Sequence, residues 1–124
     1  MKELHTEHAP AAIGPYSQAL DIGGMVFTSG QIPIDPATGS MAEGIREQAA
    51  QSLSNLKNIL AEAGLGMENV VKTTVFLSDL DDFAAVNEVY ATFFREPYPA
   101  RSCVQVAAIP KGAKVEIECV AARP

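Results

Sequence analysis

The chain is poor in the features that mark several large classes of protein. Its 124 residues include two cysteines, which are too few for the disulfide framework of a small secreted domain. Nine Lys and Arg residues stand against fifteen Asp and Glu residues, for a formal net charge of −6, and the basic residues are scattered. Partners that are bound mainly through phosphates, nucleic acids above all, are therefore not expected.

Long apolar segments are also missing. No run is long enough to span a bilayer, and the first residues are not followed by the apolar segment of a signal peptide. We therefore expect a cytoplasmic protein that does not bind membranes.

The composition that remains is that of a globular protein. Hydrophobic residues make up 48% of the chain, and a chain of this length can bury a core without disulfides or metal ions. No repeat, linker or low-complexity segment divides it. The sequence predicts one domain over residues 1–124.

Turn residues and alternation predict the first elements. Residues up to about 15 have little periodicity and contain prolines and a glycine, which is typical of a partly ordered arm. Residues 17–22 and 25–29 are predicted to be two strands, joined at Gly23 and Gly24 by a tight hairpin turn.

Helical periodicity follows in two segments. The first is a long amphipathic helix with Ser40 as the expected N-cap and Gly64 as the expected C-cap. Its apolar residues recur at steps of three and four, at Ile45, Ala49, Leu53, Leu56, Leu60 and Ala63. A β-branched strand is predicted at residues 70–77. The second helix follows it, with an apolar stripe of Phe83, Val86, Val89 or Tyr90, and Phe93.

The last part of the chain alternates as two strands, residues 99–106 and 114–118. A hairpin around residues 111–112 would align their apolar side chains on one face. The opposite face would then carry Arg101, Cys103, Gln105, Glu116 and Glu118. In this register Cys103 and Cys119 point to opposite faces, so both are expected to be reduced.

The predicted order is β-β-α-β-α-β-β, an α+β fold with one mixed sheet and both helices on one face. The helices would cover the side of Val104 and Ile117. The side of Arg101 and Glu116 would be left bare, and a half-covered sheet faces either water or another subunit. We interpret that face as favouring an oligomer.

Three blocks of the sequence, in the same order, resemble the RidA (YjgF) family of reactive-intermediate imine deaminases. The blocks are Ala9-Pro10-Ala11-Ala12-Ile13-Gly14-Pro15-Tyr16-Ser17-Gln18, Phe27-Thr28-Ser29-Gly30-Gln31-Ile32-Pro33, and Pro99-Ala100-Arg101-Ser102-Cys103-Val104 with Val115-Glu116-Ile117. The resemblance covers essentially the whole chain and implies a chorismate-mutase-like homotrimer with clefts between subunits. There, 2-aminoacrylate, 2-iminopropanoate and 2-iminobutanoate would be hydrolysed to 2-keto acids and ammonia.

The resemblance also assigns roles to residues. The family's arginine and acidic residue fall on Arg101 and Glu116, the expected catalytic residues. The expected substrate-binding residues are Tyr16, Ser29, Gly30, Asn87 and Cys103. None of these positions departs from the family pattern.

These residue types suit the chemistry. The planar guanidinium of Arg101 can bind a carboxylate through two parallel hydrogen bonds. The Glu116 carboxylate can orient a water on the imine carbon and move a proton to the nitrogen, which leaves as ammonia. Because enamines and imines already hydrolyse in water, positioning and a proton-transfer contribution of ~10²–10⁴-fold suffice. No cofactor or metal is expected.

Each residue also has an ordinary structural interpretation. A strand arginine is most often a solvated or ion-paired surface residue, and a glutamate between Val115 and Ile117 is most often the polar side of a strand. Cys103 alone would be a small half-buried hydrophobe, and we do not interpret it as a nucleophile. The resemblance outweighs these interpretations for Arg101 and Glu116, and less decisively for the others.

The hairpin register has a consequence for assembly. It places Glu116 opposite Ala107, about 13 Å from Cys103 and about 20 Å from Arg101 along the sheet. Since one small substrate cannot reach both ends, we expect Arg101 of one subunit to act with Glu116 of its neighbour.

Two classes of function stay open. The first is the deaminase, and the second is a non-catalytic protein that binds small acids such as 2-keto acids or regulates an enzyme. Ribonucleases and translation inhibitors have been described among proteins resembling this family, but the charge of −6 disfavours that role. Retention of both Arg101 and Glu116 favours the deaminase, because a carboxylate binder needs only the arginine.

Overall fold

Six strands form one mixed sheet in the computed structural model, which describes every residue from Met1 to Pro124. The strands are β1 (Lys2–Leu4), β2 (Ala19–Asp21), β3 (Met25–Thr28), β4 (Val70–Leu77), β5 (Ala100–Gln105) and β6 (Val115–Ala122), and the helices are α1 (Ile45–Ala61) and α2 (Phe83–Phe93). The order across the sheet is β1-β2-β3-β6-β4-β5, with β4 and β5 parallel and the other neighbours antiparallel. The predicted α+β class, mixed sheet and packing of both helices on one face are confirmed.

The hairpin between β2 and β3 turns at the predicted glycines. Gly23 has a φ of +102°, in the region that glycine adopts without strain. Its N–H donates to the Asp21 carboxylate at 2.9 Å. The turn places Leu20 opposite Phe27 in the paired strands.

Helix α1 buries its predicted stripe, because Ala49, Leu53, Leu56 and Leu60 are all inaccessible to solvent. The predicted C-cap, Gly64, is two residues late, because the helix is capped at Glu62. Gly64 lies in the turn that follows, with a φ of +72°, and the Leu65 N–H donates to the Leu60 carbonyl at 3.0 Å. The N-cap prediction is wrong, because the helix begins after Gly44. Ser40 instead belongs to a turn, where its carbonyl accepts the Asp35 N–H at 2.9 Å.

The predicted hairpin between the last two strands is wrong. Strand β5 pairs only with β4, so that Arg101 lies opposite Thr73. Strand β6 lies between β3 and β4, and Glu116 lies opposite Phe76 instead of Ala107. The reason is burial: every second residue of β6 is buried, which suits a central strand, whereas no residue of β5 is buried.

The parallel pairing also reverses the predicted faces of β5. Thr73 and Val75 are fully buried on the helix side of the sheet. Residues opposite each other in neighbouring strands share a face. Arg101 and Cys103, which lie opposite them, are therefore on the helix side, while Glu116 is on the other side.

The two cysteines share a face, contrary to the prediction. Cys119 lies opposite Thr73 and Cys103 lies opposite Val75. Strand β4 therefore stands between them, and two strand spacings of about 10 Å exceed the reach of a disulfide. Both thiols are free, as expected.

The amino-terminal arm is more ordered than predicted. Its residues Lys2–Leu4 form β1 at the edge of the sheet. Gln18 is 3% exposed and holds the following segment. Its side-chain amide accepts the Thr6 N–H and donates to the Pro10 carbonyl, both at 2.8 Å. The order of this segment thus comes from one buried polar side chain, and no apolar periodicity in the sequence indicated it.

The sheet face opposite the helices is uncovered, as predicted, but it carries Glu116 without Arg101. Phe27 and Val104 are each 43% exposed, and both lie on this face. No helix combines the length and the apolar character needed to cross a membrane.

Candidate active site

The predicted site residues form two groups. The first, which we call the carboxylate half, comprises Tyr16, Ser29, Gly30 and Glu116, and all four line one cleft of about 980 Å³. The second, which we call the arginine half, comprises Asn87, Arg101 and Cys103, around β5 and the neighbouring α2. The cleft is larger than a small imino acid requires, and its other walls come from the arm, from the loop after β3 and from the turn before β6.

The main chain positions the carboxylate half. The Gln31 N–H donates to the Ile117 carbonyl at 2.8 Å, and the Gln31 carbonyl accepts the Ile117 N–H at 3.2 Å. This bridge brings Gly30 against Glu116. A Cβ at residue 30 would lie 2.9 Å from the Glu116 Cδ and nearer still to Oε2, so glycine is what leaves room for the carboxylate.

Glu116 carries an unbalanced charge within the chain. Its side chain is half-buried and has no hydrogen-bond or ion-pair partner. Burial raises the pKa of Glu116, and the nearby Glu118 carboxylate raises it further. A carboxyl group with a raised pKa is suited to take up and release a proton closer to neutral pH.

Ser29 and Tyr16 add polar groups to the same cleft. The Ser29 hydroxyl donates to the Ser17 carbonyl at 2.6 Å, which leaves its oxygen free to accept. Tyr16 is 52% exposed, and its hydroxyl accepts the Ile13 N–H at 3.3 Å. The phenol hydrogen of Tyr16 is therefore free to donate to a ligand.

Side chains position the arginine half. Nη1 of Arg101 donates to the Asn87 Oδ1 at 2.8 Å. The guanidinium carbon lies 4.8 Å from the centroid of the Tyr90 ring and 5.4 Å from that of Phe83. No carboxylate pairs with Arg101. Its other N–H groups have no partner within the chain and can donate to an anion.

Cys103 lies beside this guanidinium but is not activated. Burial raises the pKa of its thiol, and the charge of Arg101 lowers it by less. A thiol with a raised pKa is a poor nucleophile at neutral pH, in agreement with the interpretation of Cys103 as a lining residue. No cluster of His, Cys, Asp and Glu side chains is arranged to hold a metal ion.

The two halves do not meet within one chain. Arg101 and Glu116 lie on opposite faces, with β4 between their strands. They are two strand spacings apart, about 10 Å, and offset by a further ~10 Å along the strands. The register used in the sequence prediction was wrong, but a single small substrate still cannot touch both side chains of one chain.

Tyr90 and Phe83 contact the site arginine and were not among the predicted site residues. They were interpreted only as part of an apolar stripe. Phe83, Asn87 and Tyr90 are spaced at i, i+4 and i+7, which places them on one side of α2. This spacing around the predicted site residue Asn87 is the sequence signal by which Phe83 and Tyr90 could have been identified. Lys111, also not predicted, lines the same cleft as Glu116.

Comparison with known proteins extends this description. A family model described as endoribonuclease L-PSP matches residues 6–123. The chain is similar to the 2-iminobutanoate/2-iminopropanoate deaminase of Salmonella typhimurium, with 58% identity and 98% of each chain covered. It is also similar to the protein of that name from Escherichia coli, with 54% identity and 98% of each chain covered.

Solved structures agree with the fold. The crystal structure of E. coli TdcF with bound serine superposes with a TM-score of 0.96 at 53% identity, covering 100% of both chains. A putative endoribonuclease from Thermotoga maritima superposes with a TM-score of 0.97 at 48% identity, covering 100% of this chain and 98% of that one.

Proposed function

The chain belongs to the endoribonuclease L-PSP family, also called the RidA/YjgF family, and on that premise we propose that it is an enamine/imine deaminase. Its substrates are 2-iminobutanoate and 2-iminopropanoate, which it hydrolyses to 2-keto acids and ammonia. The observation that carries this proposal is the identity of 54–58%, over 98% of the chain, to relatives with that activity in their names. The unpaired Arg101 and Glu116 supply the chemistry that the reaction needs.

We propose further that the working unit is a homotrimer of this one domain, residues 1–124, with each site built between two subunits. The arginine half of one subunit would face the carboxylate half of the next. Three features support this: the halves lie on opposite faces of the sheet, each half carries an unbalanced charge of opposite sign, and the uncovered face exposes Phe27 and Val104. A neighbour would balance the charges and cover the apolar side chains together.

In the proposed reaction, Arg101 binds the substrate carboxylate in a bidentate arrangement. Glu116 accepts a proton from water as the water oxygen bonds to the carbon of the protonated imine and the C=N π electrons move to nitrogen, which gives a neutral carbinolamine. Glu116 then returns that proton to the nitrogen, and ammonia leaves as the hydroxyl proton passes back to the Glu116 carboxylate and the C=O bond forms. An enamine substrate must first take up a proton on carbon to become the imine. The protein supplies fixed geometry and a rate enhancement of about 10²–10⁴-fold from proton transfer.

The remaining residues would bind and orient the substrate. In this proposal Asn87 holds Arg101, the Tyr16 hydroxyl and the Ser29 oxygen offer a donor and an acceptor, and Gly30 leaves space for Glu116. Cys103 lines the site as a neutral thiol.

A binding protein without catalysis is the second candidate. The similar TdcF structure contains serine, which is a small carboxylate. An arginine site alone would explain binding of this kind. It would leave the unpaired, half-buried Glu116 without a purpose, and the deaminase is therefore the better explanation.

A coupled assay separates the two candidates. A serine or threonine dehydratase generates the imine, and release of 2-keto acid is followed with wild type, Arg101→Ala and Glu116→Gln. We expect acceleration by the wild type and losses of roughly 100-fold or more in both variants. Glu62→Gln is the control, because it removes an exposed carboxylate that does not line the cleft, and it should stay within about threefold of wild type.

The alternative outcome is equally clear. If the wild type binds 2-keto acids but does not accelerate their release from the imine, the protein is a binder and the deaminase proposal is wrong. Retention of full activity by Glu116→Gln would reject only the proposed role of Glu116 and would leave the deaminase proposal standing.

A further inference from the structure

Arg101 lies on an aromatic surface provided by α2. Its guanidinium carbon is 4.8 Å from the centroid of the Tyr90 ring and 5.4 Å from that of Phe83. A guanidinium within about 6 Å of an aromatic centroid is attracted by the negative face of the ring. Asn87, on the same side of α2, accepts a hydrogen bond from Nη1. One side of one helix thus makes every polar and cation–π contact of this arginine within the chain.

Tyr90 is itself held rigidly. It is 6% exposed, and its hydroxyl forms a 2.7 Å hydrogen bond with the Thr73 hydroxyl of β4, which is fully buried. The Phe94 ring packs against it with centroids 4.5 Å apart. The ring on which Arg101 rests is therefore tied to the centre of the sheet.

The attraction is that of a cation to a neutral ring. Burial raises the pKa of Tyr90, and the opposing effects of Thr73 and Arg101 are smaller. Tyr90 therefore stays a phenol at neutral pH and does not form an ion pair with the guanidinium.

This geometry determines which part of Arg101 is free. Nη1 is engaged by Asn87, whereas Nε and Nη2 have no partner. These two nitrogens form the edge of the guanidinium that can donate two parallel hydrogen bonds to a carboxylate.

We propose that Tyr90 is a positioning residue whose ring orients Arg101 for the substrate carboxylate, with Phe83 as the second aromatic contact. The inference rests on the proposed deaminase function, in which Arg101 binds that carboxylate. A guanidinium ordered before the substrate arrives loses less conformational freedom on binding. Because the carboxylate is held in both the ground state and the transition state, loss of this order raises KM and leaves kcat nearly unchanged.

Four variants test the proposal in the intact protein. Tyr90→Leu removes the ring, Tyr90→Phe keeps the ring but removes the bond to Thr73, and Phe83→Leu removes the second ring. Phe93→Leu is the matched control, because Phe93 lies on the same helix without a cation–π contact to Arg101. KM and kcat are measured in the coupled assay, and the Kd for 2-ketobutanoate is measured by calorimetry.

We expect Tyr90→Leu to raise KM and Kd by about 5- to 30-fold, with kcat within about threefold of wild type. Tyr90→Phe should stay within about threefold for both constants, and Phe83→Leu should raise them about two- to fivefold. Phe93→Leu should leave KM and Kd unchanged. Wild-type KM and Kd in a folded Tyr90→Leu protein would overturn the proposal, since a purely structural residue would change only the melting temperature.

A second measurement does not depend on catalysis. The Nε–H resonance of Arg101 in the ligand-free protein should be sharp and slowly exchanging in wild type, Tyr90→Phe and Phe93→Leu, and broadened in Tyr90→Leu. Should Tyr90→Leu fail to fold, Phe83→Leu takes its place, because Phe83 is 40% exposed and substitution at an exposed position usually costs little stability. An Arg101 resonance insensitive to both rings would reject the positioning role. Absence of deamination by the wild type would reject the proposed function instead.

Discussion

The two halves of the candidate site are built by different means. In the carboxylate half, the backbone bridge between Gln31 and Ile117 brings Glu116 against a glycine, and no side chain binds the carboxylate. In the arginine half, an amide and two aromatic rings hold Arg101. One half depends on the path of the main chain, and the other on the choice of side chains.

This difference predicts how each half tolerates change. Side-chain contacts can be weakened one at a time, so the arginine half should respond to substitution in steps. In the carboxylate half, the backbone lies so close to Glu116 that a single added Cβ would displace the carboxylate. What the halves share is an unbalanced charge, negative in one and positive in the other, and this shared feature is what joins them in the proposed trimer.

The proposed division of each site between two subunits can be tested by mixing variants of the two halves. Arg101→Ala and Glu116→Ala chains, each inactive alone, are unfolded and refolded together. If each site takes one half from each of two subunits, random mixing leaves about a quarter of the sites intact, so activity should rise from near zero to about a quarter of wild type. The assay is 2-keto acid release, with trimers of mixed composition verified by native mass spectrometry. No recovery in such trimers would rule out shared sites.

A glycine substitution sharpens the contrast in tolerance. Gly30→Ala adds a Cβ that would lie 2.9 Å from the Glu116 Cδ, so the carboxylate must move. Because displacement of a catalytic group by about 1 Å can cost about 100-fold, we expect kcat/KM to fall by about that factor. Gly24→Ala is the control, since no atom lies within 4 Å of its added Cβ. Equal activity of the two variants would show that the close approach at Gly30 has no catalytic importance.

The titration of Glu116 gives the smallest expected effect. Burial and Glu118 raise the pKa of Glu116 within the chain above its ordinary value of 4.5. Ionisation of Glu116 therefore lowers the free energy of unfolding as the pH rises from that ordinary value through the raised pKa of the folded chain. A neighbouring subunit's guanidinium favours the charged form and lowers the pKa again. Arg101→Ala should therefore raise the pKa of Glu116 in the assembled protein relative to wild type.

Carbon-13 NMR of labelled glutamate carboxyls measures this shift directly. Arg46→Ala is the matched control, because Arg46 pairs with Glu88 on the exposed helix surface. The same Glu116 pKa in wild type and Arg101→Ala would mean that Arg101 does not approach Glu116 in the assembly.

Much of the secondary structure could be predicted from local pattern. The observed bounds of β4, Val70–Leu77, are those of the predicted strand, because that segment is rich in β-branched residues and is followed by a turn. The stripe of α1 was visible because leucines recur at helical spacing. Gln18 was not visible as an organiser of the arm, since its effect depends on carbonyl groups eight or more residues away.

The position of β5 could not be predicted in the same way. Ser102 and Val104 alternate with Cys103 and Gln105, and neither pair is clearly more apolar than the other. Its face is decided by parallel pairing with β4 after the crossover through α2. The resemblance to a family predicted which residues bear the chemistry, but their division between two faces follows from that pairing, which only the fold reveals.

Strand β6 is the last strand in chain order and yet lies in the middle of the sheet. Its Val120 pairs with Phe27, far back in the chain, while its other side pairs with β4. During synthesis, the edges of β3 and β4 that pair with β6 therefore stay unpaired until β6 has emerged from the ribosome. Such long-range pairing favours slow folding and leaves strand edges exposed to chaperones. Glu116 arrives with that same segment. A nascent chain thus acquires its proposed catalytic carboxylate only with the strand that completes its fold.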